Sequence, residues 1–566
     1  MKFTTSVMTA FLHNRSAKRN FSRLFKFIAF IVFLILLYSA LFHLIMIYIE
    51  NEKGHSLFAG LYWTLTTMTT LGYGDIVFTT DIGRFFSSFV LISGVLLLLV
   101  ILPFTFIQFF YAPWLEAYNK LKTPTTVPEH EEDHVIITNF DPVTRTLVQK
   151  LKLYNHSYYI LEPGVQRALE FYESGFKVLL GDLDDPNTYR NIKFEKAAML
   201  VATGNDMQNT NVSFTAREIS ESVPIVTMAS NPDSVDILKL AGSTQVLQLP
   251  QMLGQSLARR TLGGSARVHV IGRFDQLVIG EAPAVGTPLV GKTLAESKLR
   301  EIVGINVVGV WERGFFSAAQ PETLINERTI LVLAGSVDQL RTYDEYMGIF
   351  HAEDKPVLII GAGRVGLAAA KSLADRRMDH IILDKTPVRV PENSKFVIGD
   401  AADLETLKKA GIDDAHTIII TTNKDDVNIY LTLYCRKLRP DVQITARATE
   451  ERNVSSLHRA GADFVMSYAT MGSNAIFNLL ARSEVLMLAE GLNVFKVSAP
   501  KIFIGKNLIE SEIRRKTGCS VIAIKKNGDL IANPEPKTII EDNSELILIG
   551  DYESEEKFSA FLKRES

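Results

Sequence analysis

A short run of residues near the N-terminus has the composition needed to hold a cation that has lost its water shell. The run consists of Thr70, Leu71, Gly72, Tyr73 and Gly74. The two glycines can adopt dihedral angles that other residues rarely reach, so consecutive backbone carbonyls can turn toward a common axis. The Thr70 hydroxyl can add one more ring of oxygens at the inner end. Stacked rings of oxygen can replace the hydration shell of an ion.

Two apolar segments flank this run, and both are long enough to cross a bilayer. They cover residues 27–49 and 85–111, and at 1.5 Å per residue each reaches the roughly 30 Å of a bilayer core. The stretch between them is too apolar for an ordinary loop and too short to cross twice, which predicts a re-entrant helix followed by an extended strand. Because irregular backbone at membrane depth persists only where it lines a water-filled path, the run is predicted to line a pore.

Charge predicts the orientation of the spans and excludes some partners. Basic residues precede the first span, namely Lys2, Arg15, Lys18, Arg19, Arg23 and Lys26. By the positive-inside rule the N-terminus is then cytoplasmic, and two crossings return the rest of the chain to the cytoplasm. The 60 Lys and Arg against 63 Asp and Glu give a net charge of -3, which offers no basic excess for binding nucleic acid. Cys435 and Cys519 lack any metal or disulfide spacing, as is typical of a reducing compartment.

The run from Thr70 to Gly74 resembles the potassium-channel signature, with Leu71 where that family usually has valine. The resemblance implies that K⁺ is the permeant ion and that the second span is the pore-lining inner helix. One signature per chain implies a homotetramer around the pore, in a prokaryotic cell (inner) membrane. Pro103 lacks an amide hydrogen and predicts a kink in that span, whereas Gly94 is either a hinge or a close-packing residue.

After a polar linker, short apolar strands alternate with amphipathic helices, and the same order occurs twice. The repeat extends beyond each predicted parallel sheet, since GKTLAESKL at residue 291 matches GKNLIESEI at residue 505. The predicted fold is therefore multidomain: an α-helical two-span membrane pore with a re-entrant pore loop, followed by two α/β Rossmann-like N-lobes, each with a small α+β C-lobe.

This layout resembles the RCK (regulator of potassium conductance) domain, which in its family forms a cytoplasmic gating ring from four subunits. The resemblance implies that ligand binding to the ring pulls on the inner helices. The predicted boundaries are a basic N-terminal segment at 1–26, a pore domain at 27–112, a linker at 113–133, a first RCK unit at 134–350 (N-lobe 134–265, C-lobe 266–350) and a second at 355–566 (N-lobe 355–485, C-lobe 486–566).

The second repeat contains a GxGxxG sequence in the context that dinucleotide binding requires. Residues 361–366 follow a predicted strand and open a helix, and Asp384 ends the next strand. Gly361 would form the turn, Gly363 would let a pyrophosphate approach the helix N-terminus, and Gly366 would let helix and strand pack. Asp384 would accept from ribose hydroxyls and disfavour a 2′-phosphate. NAD or an adenine nucleotide (ADP or ATP) is thus predicted rather than NADP.

The family resemblance adds Asp400 and the pair Thr422 and Asn423 to this site. Arg364 either meets a phosphate or is solvated. The residues do not distinguish NAD, NADH, ADP and ATP from one another. They also do not indicate whether the nucleotide activates or inhibits. The full predicted set is Gly361, Ala362, Gly363, Arg364, Val365, Gly366, Asp384, Lys385, Asp400, Ala401, Thr422 and Asn423.

The first repeat has different residues at the matching positions. Glu162 falls on Asp384, and the three glycines are replaced by Asn139, Asp141 and Thr144. Asp141 would place a carboxylate where phosphate charge should lie, and Pro142 lacks an amide hydrogen. Our interpretation is that the first copy no longer binds a dinucleotide in the usual way and serves as a structural coupling element. The alternative is that it binds a mononucleotide in a different way.

Calcium is another ligand that the resemblance implies, but no site is assigned to it. The acidic trio of calcium-gated relatives falls on Ala202, Met228 and Ser230, which are poor ligands for a hard cation. A second acidic group is interpreted as a solvated turn, with a cation site as the alternative; it comprises Asp182, Asp184 and Asp185.

The predicted function is a ligand-gated potassium channel and not an enzyme. The alternative is a membrane-anchored NAD-dependent oxidoreductase. For that function the sequence offers no identifiable His/Asp or Tyr/Lys catalytic constellation, and the pore loop would be left unexplained. A transporter subunit would need more spans than two.

Overall fold

The computed structural model describes most of the chain: residues 15–52, 54–112, 114–115, 122–261, 268–274, 276–312, 315–347, 356–391, 394–481, 485–488, 492–526 and 529–565. Residues 1–14 of the predicted basic segment and parts of the predicted linker lie outside these ranges. The chain divides into two compact units. The first contains residues 1–127 with 162–182, and the second contains residues 128–161 with 183–566.

The first unit is mainly helical. Its elements are an outer helix Arg15–Tyr48, a short helix Leu57–Met68, an inner helix Asp81–Gly94 that continues as Val95–Ile101, Leu102–Phe106 and Ile107–Tyr111, a helix Val165–Glu173 and strand β3 Val178–Leu180. Two stretches, Ser22–Tyr48 and Asp81–Phe109, are long and apolar enough to cross a membrane, with mean hydropathy of 2.7 and 2.8. The predicted pair of apolar spans is thus confirmed.

Aromatic packing joins the outer, short and inner helices. Phe42 of the outer helix stacks on Trp63 of the short helix with ring centroids 4.9 Å apart, and Phe86 of the inner helix stacks on the other side of Trp63 at 5.7 Å. Phe78 contacts the same ring edge-on at 5.1 Å. Large aromatic surfaces of this kind fix the short helix between the two spans.

Gly94 is buried at the point where the inner helix crosses the end of the short helix. A Cβ added there would lie 2.4 Å from the Met68 Cα and 2.5 Å from its carbonyl oxygen. Beyond Gly94 the helix widens into π-helical turns, Val95–Ile101 and Ile107–Tyr111, on both sides of Pro103. The geometry favours the packing interpretation of Gly94 over the hinge.

We expect Gly94→Ala to destabilise the pore domain by ~1–3 kcal/mol, since the new methyl group would overlap backbone atoms that cannot rotate away. Thermal unfolding of the detergent-solubilised assembly measures this. Ser93→Ala, at the neighbouring half-buried position, is the control and should leave the transition unchanged. A Gly94→Ala protein with unaltered stability and altered channel opening would instead identify a hinge.

The second unit contains the second repeat and most of the first. Its strands are β1 Val135–Ile137, β2 Tyr158–Glu162, β4 Met199–Ala202, β5 Ile225–Met228, β6 Gln245–Leu247, β7 His269–Phe274, β8 Leu277–Pro283, β9 Asn306–Glu312, β10 Phe315–Ala318, β11 Ile330–Gly335, β12 Val357–Ile360, β13 His380–Asp384, β14 Lys395–Ile398, β15 Thr417–Ile420, β16 Gln443–Ala448, β17 Phe464–Ser467, β18 Val485–Met487, β19 Leu492–Ser498, β20 Ser520–Lys526, β21 Asp529–Ala532 and β22 Ser544–Asp551. Its α-helices are Pro142–Leu153, Pro186–Asn191, Asp206–Arg217, Val235–Leu240, Leu249–Arg259, Leu294–Ser297, Leu299–Val303, Val337–Met347, Arg364–Asp375, Leu404–Lys409, Asp425–Leu438, Val454–Ala460, Tyr468–Leu480, Leu508–Ser511, Ile513–Thr517 and Tyr552–Glu565.

The N-lobe of the second repeat is a parallel sheet in the order β14-β13-β12-β15-β16-β17, the order of a dinucleotide-binding fold. Val357 of β12 pairs with His380 of β13 on one side and with Thr417 of β15 on the other. In the first repeat β2-β1-β4-β5-β6 follow the same order. Apart from the edge strands β14 and β6, these strands are almost wholly buried and rich in Ile and Val, as expected for a sheet covered by helices on both faces.

The C-lobes confirm that the repeat is structural. Their antiparallel sheets have equivalent orders, β7-β8-β11-β9-β10 and β18-β19-β22-β20-β21. Each contains a capping box, from Thr293 to Glu296 and from Asn507 to Glu510. The two sheets also share one core, in which Trp311 and Val332 of the first copy join Val494 and Ile547 of the second.

Each N-lobe packs one of its helices against a helix of the other N-lobe. The helix Leu249–Arg259 of the first copy packs on Arg364–Asp375 of the second, where a Cβ on Gly254 would lie 2.5 Å from the Val365 carbonyl oxygen. The helix Tyr468–Leu480 packs in the same way on Pro142–Leu153, and a Cβ on Gly472 would lie 2.7 Å from a Val143 methyl group. The helix that follows the glycine loop of the second copy therefore packs directly against a helix of the first copy.

Candidate functional site

The loop between the two spans has an unusual backbone. The short helix is capped by Ser56, whose Oγ accepts from the Ala59 amide at 3.2 Å, and it ends at Met68. Three of the next six residues have left-handed φ angles: Thr70 at 64°, Gly72 at 48° and Gly74 at 77°. Such angles favour glycine, so the two glycines predicted for this role have the expected conformation, while that of Thr70 was not predicted.

Backbone hydrogen bonds and an aromatic contact attach this loop to the short helix. The amides of Leu71 and Gly72 donate to the Thr66 carbonyl at 2.8 and 3.2 Å, which anchors the loop to the last turn of the short helix. The left-handed residues alternate with Leu71 and Tyr73, and the Tyr73 ring stacks on Tyr62 with centroids 6.4 Å apart. Two backbone hydrogen bonds and the contact between Tyr62 and Tyr73 therefore hold the loop against the short helix.

Glu50 connects the end of the outer helix to the start of the inner helix. Its carboxylate accepts from the amides and hydroxyls of Thr79 and Thr80, including the Thr80 hydroxyl at 2.7 Å and the Thr80 amide at 3.0 Å. These hydrogen bonds, the Thr79 hydroxyl first, hold the pKa of Glu50 at about 2. The carboxylate is thus ionised at physiological pH and closes the loop around the short helix.

A second candidate site is a cavity of about 600 Å³ in the N-lobe of the second repeat. It opens at the carboxyl ends of β12, β13, β14 and β15, where parallel α/β sheets bind ligands. Its lining residues are Ile360, Gly361, Leu383, Asp384, Lys385, Thr386, Gly399, Asp400, Ala401, Ala402, Thr422, Asn423, Lys424, Asp426, Val427, Tyr430 and Leu431. Seven of the predicted binding residues are among them. The other ten were not predicted; the apolar spacing of Val427, Tyr430 and Leu431 along one helix could have indicated these three.

The three glycines of the fingerprint differ in their surroundings. Gly361 forms the turn at φ 106°, and a Cβ on Gly366 would lie only 1.8 Å from the Gly361 carbonyl oxygen. Gly363 is the N-cap of the helix Arg364–Asp375, has no side-chain cap, and has open space where its Cβ would be. This open, uncapped helix N-terminus fits a phosphate group, because its free amides and dipole favour negative charge.

The acidic residues of the cavity are ordered by hydrogen bonds. Asp384 accepts from the Ala362 amide at 2.6 Å and from the Thr386 amide at 2.8 Å. Asp400 accepts from the Ala402 amide and pairs with the Lys385 ammonium, both at 2.9 Å, which together lower the pKa of Asp400. Both carboxylates can therefore serve as acceptors for ribose hydroxyls at the ends of β13 and β14.

Some of the predicted residues make structural contacts of their own. Val365 is buried in the core, and the Thr422 hydroxyl donates to the Asn428 Oδ1 at 2.6 Å, so it holds the loop after β15. Arg364 donates to the carbonyl of Ser230, in the first copy, at 2.8 Å. The sequence offered a phosphate or solvent as the environment of Arg364, whereas the structure shows a contact between the two repeats.

The corresponding helix of the first copy is capped by its own residues. The Asp141 carboxylate accepts from the Thr144 amide at 2.9 Å, the Thr144 hydroxyl accepts from the Asp141 amide at 2.9 Å, and Pro142 follows at the first helical position. The cap places negative charge at the helix N-terminus, where a phosphate would bind in the second copy. This arrangement supports the interpretation that the first copy has lost that binding mode.

Within the described part of the chain, no group of three or more His, Cys, Asp and Glu residues could hold a metal ion. Asp185 of the acidic turn caps the helix Pro186–Asn191 by accepting from the Asn187 amide at 2.9 Å. The two cysteines are buried, and burial raises the pKa of both thiols to about 12.

Three sequence families match the chain. The Ion channel family matches residues 27–111, the TrkA-N domain matches 135–249 and 357–468, and the TrkA-C domain matches 281–348 and 494–563. Potassium channel protein 1 of Methanocaldococcus jannaschii is 27% identical over 220 residues, which are 36% of this chain and 66% of that protein. The chain thus spans just under two thirds of that relative's length.

Solved structures match over a longer range. The GsuK channel bound to NAD is 38% identical, with 96% of this chain and 100% of that chain covered and a TM-score of 0.58. The GsuK RCK domain is also 38% identical, covering 80% of this chain and 100% of that chain with a TM-score of 0.58.

Two apolar spans around a short helix, followed by two Rossmann-like lobes with α+β C-lobes, define a membrane channel with a tandem regulatory region. The chain belongs to the family of two-transmembrane potassium channels with two C-terminal RCK domains. The predicted family and fold class are thereby confirmed.

Proposed function

We propose that the protein is a homotetrameric channel that conducts K⁺ through a filter formed by residues 70–74. The observation that carries this proposal is the loop between the spans, in which left-handed residues alternate with Leu71 and Tyr73 directly after a short helix. Four such loops around one axis would supply the oxygen rings that a dehydrated cation needs. The proposal places the protein in a prokaryotic cell membrane with both termini in the cytoplasm.

The proposed gating ligand is NAD or an adenine nucleotide bound in the second RCK unit. The cavity combines two ordered carboxylates with an adjacent uncapped helix N-terminus, and the similar GsuK channel has been solved bound to NAD. When bound, the nucleotide would supply negative charge at that helix N-terminus. If it bound open and closed states with affinities differing by roughly 1–2 kcal/mol per site, four sites would suffice to shift the gate. Modulation by Ca²⁺ stays a prediction of the resemblance, with no residue assigned.

Potassium flux from liposomes that contain the purified channel tests this function. We expect NAD or ADP at the RCK side to change the flux of the wild type, and Gly363→Asp to remove the response while basal flux persists. The new carboxylate would repel a phosphate at the helix N-terminus, as Asp141 does in the first copy. Gly363→Ala separates the effect of charge from that of bulk, because its methyl group meets no protein atom within 4 Å and adds no charge, so it should keep more of the nucleotide response than Gly363→Asp. Equal nucleotide responses in the wild type and Gly363→Asp would reject this site as the sensor.

A further inference from the structure

Arg447 is a partly buried cation that forms no ion pair within the part of the chain that the structure describes. It is the penultimate residue of β16, and its guanidinium lies over the Tyr468 ring, 5.2 Å from the centroid. Its Nε is wholly buried and has no hydrogen-bond partner. Among the described residues, no ion pair and no side-chain hydrogen bond engages this guanidinium. Burying an unpaired charge is costly, so an arginine in this setting indicates a missing anion.

The acidic groups near Arg447 are already engaged elsewhere. Asp425 accepts from the amides of Thr449 and Glu450 at 2.7 and 3.0 Å and from the Asn453 side chain at 2.7 Å. Asp141 of the first copy, which acts electrostatically on Tyr468, caps its own helix.

The other charged group close to Arg447 is a second cation. Burial lowers the pKa of Arg447, Tyr468 and Asp425 oppose this shift, and the positive charge of Arg364 adds to it. Among the described residues, the acceptor of Arg364 is a neutral carbonyl, that of Ser230, at 2.8 Å. The two guanidinium groups therefore lie close together, and neither forms an ion pair with a described residue.

The first copy has neither the matching arginine nor an open helix N-terminus. In the alignment of the repeats, Ile444-Thr445-Ala446-Arg447 matches Ile225-Val226-Thr227-Met228, so Met228 stands where the second copy has Arg447. The first copy also has Asp141 at the helix N-terminus, where the second has the open Gly363. The extra cation is thus found in the copy whose helix N-terminus is free to receive an anion.

The position of Arg447 relative to the cavity indicates which part of a ligand it would meet. The cavity lies over β12 to β15, and β16 is the next strand beyond β15 in the sheet. In this fold the phosphates cross the helix N-terminus between the first and fourth strands. A nucleotide with its ribose at Asp384 would therefore extend its distal phosphate toward β16.

We propose that Arg447, together with Arg364, binds the distal phosphate of the nucleotide in the second RCK unit. This inference rests on the proposed function and assigns a residue that the GxGxxG fingerprint does not contain. A guanidinium can donate two parallel hydrogen bonds to a phosphate, which would supply the partner that the buried Nε lacks. The site would consequently select ligands with at least two phosphates, such as ADP or the pyrophosphate of NAD, over adenosine and AMP.

Calorimetric titration of the purified full-length channel with ADP, NAD and AMP tests this assignment in the wild type and Arg447→Met, the residue of the first copy. We expect Arg447→Met to weaken ADP and NAD roughly ten- to hundred-fold and AMP much less. The thermal midpoint without ligand should not fall, because removal of an unpaired buried charge is neutral or stabilising.

Other results would overturn the assignment. Unchanged ADP affinity in Arg447→Met, with a lowered thermal midpoint, would make Arg447 a structural residue, and equal weakening of AMP and ADP would exclude the distal phosphate. If the wild type binds none of the nucleotides, the proposed nucleotide gating fails together with this inference. Arg447→Gln provides the same comparison with a polar side chain if Arg447→Met does not fold.

Discussion

Replacement of Gly72 by alanine should abolish K⁺ conduction without dissociating the channel. Gly72 has φ 48°, in the left-handed region, and nothing lies within 4 Å of the position of its Cβ. The penalty therefore comes from the backbone, at roughly 1–2 kcal/mol per residue. In a tetramer this conformational penalty would apply at four adjacent positions around one ion path. The loop is expected to relax to a conformation whose carbonyls no longer face the axis, and K⁺ flux from liposomes measures the loss.

Gly54→Ala is the matched control for this experiment. Gly54 lies in the same inter-span segment, and its Cβ would also meet nothing within 4 Å, but its φ is outside the left-handed region. Its flux should equal that of the wild type, and both variants should elute as the same oligomer. Wild-type conduction by Gly72→Ala would show that residues 70–74 do not form the filter.

Gly366→Ala is expected to have the largest effect on the nucleotide site. Its Cβ would lie 1.8 Å from the Gly361 carbonyl oxygen and 2.7 Å from the Thr421 hydroxyl. The neighbouring atom is backbone, so the glycine turn must move, at a cost of ~1–3 kcal/mol or more. Because Gly361 forms the wall of the cavity, we expect loss of NAD binding together with a lower thermal midpoint of the RCK region.

The two glycines one helical turn apart make the test specific. Gly363→Ala adds the same methyl group where no protein atom lies within 4 Å, so its thermal midpoint should stay close to that of the wild type, although the methyl group would occupy space that a pyrophosphate needs and should weaken NAD binding. Calorimetric titration and thermal unfolding of both variants give the comparison. If Gly366→Ala had the thermal midpoint of Gly363→Ala and bound NAD as tightly as the wild type, close packing at Gly366 would not be required for the site.

The sequence alone determined the features that depend on neighbouring residues and on periodicity. The spans follow from the length of two apolar segments, the left-handed turns of the pore loop from Gly72 and Gly74, and the Rossmann-like lobes from strands that alternate with helices. The repeat was visible because both copies retain the same local signals, down to the capping residues Thr293 and Asn507. Each of these is a property of a contiguous segment, so no tertiary information was needed.

Tertiary structure decided the features that depend on segments distant in the chain. Gly94 could have been a hinge until its contact with Met68 was known, and Arg364 had no predictable partner because Ser230 lies 134 residues away. Arg447 is unremarkable within its strand. That Arg447 forms no ion pair with a described residue becomes evident only when β16, Tyr468 and Arg364 are brought together. Long-range packing thus decided which polar groups are satisfied, and the local sequence carries no signal for that.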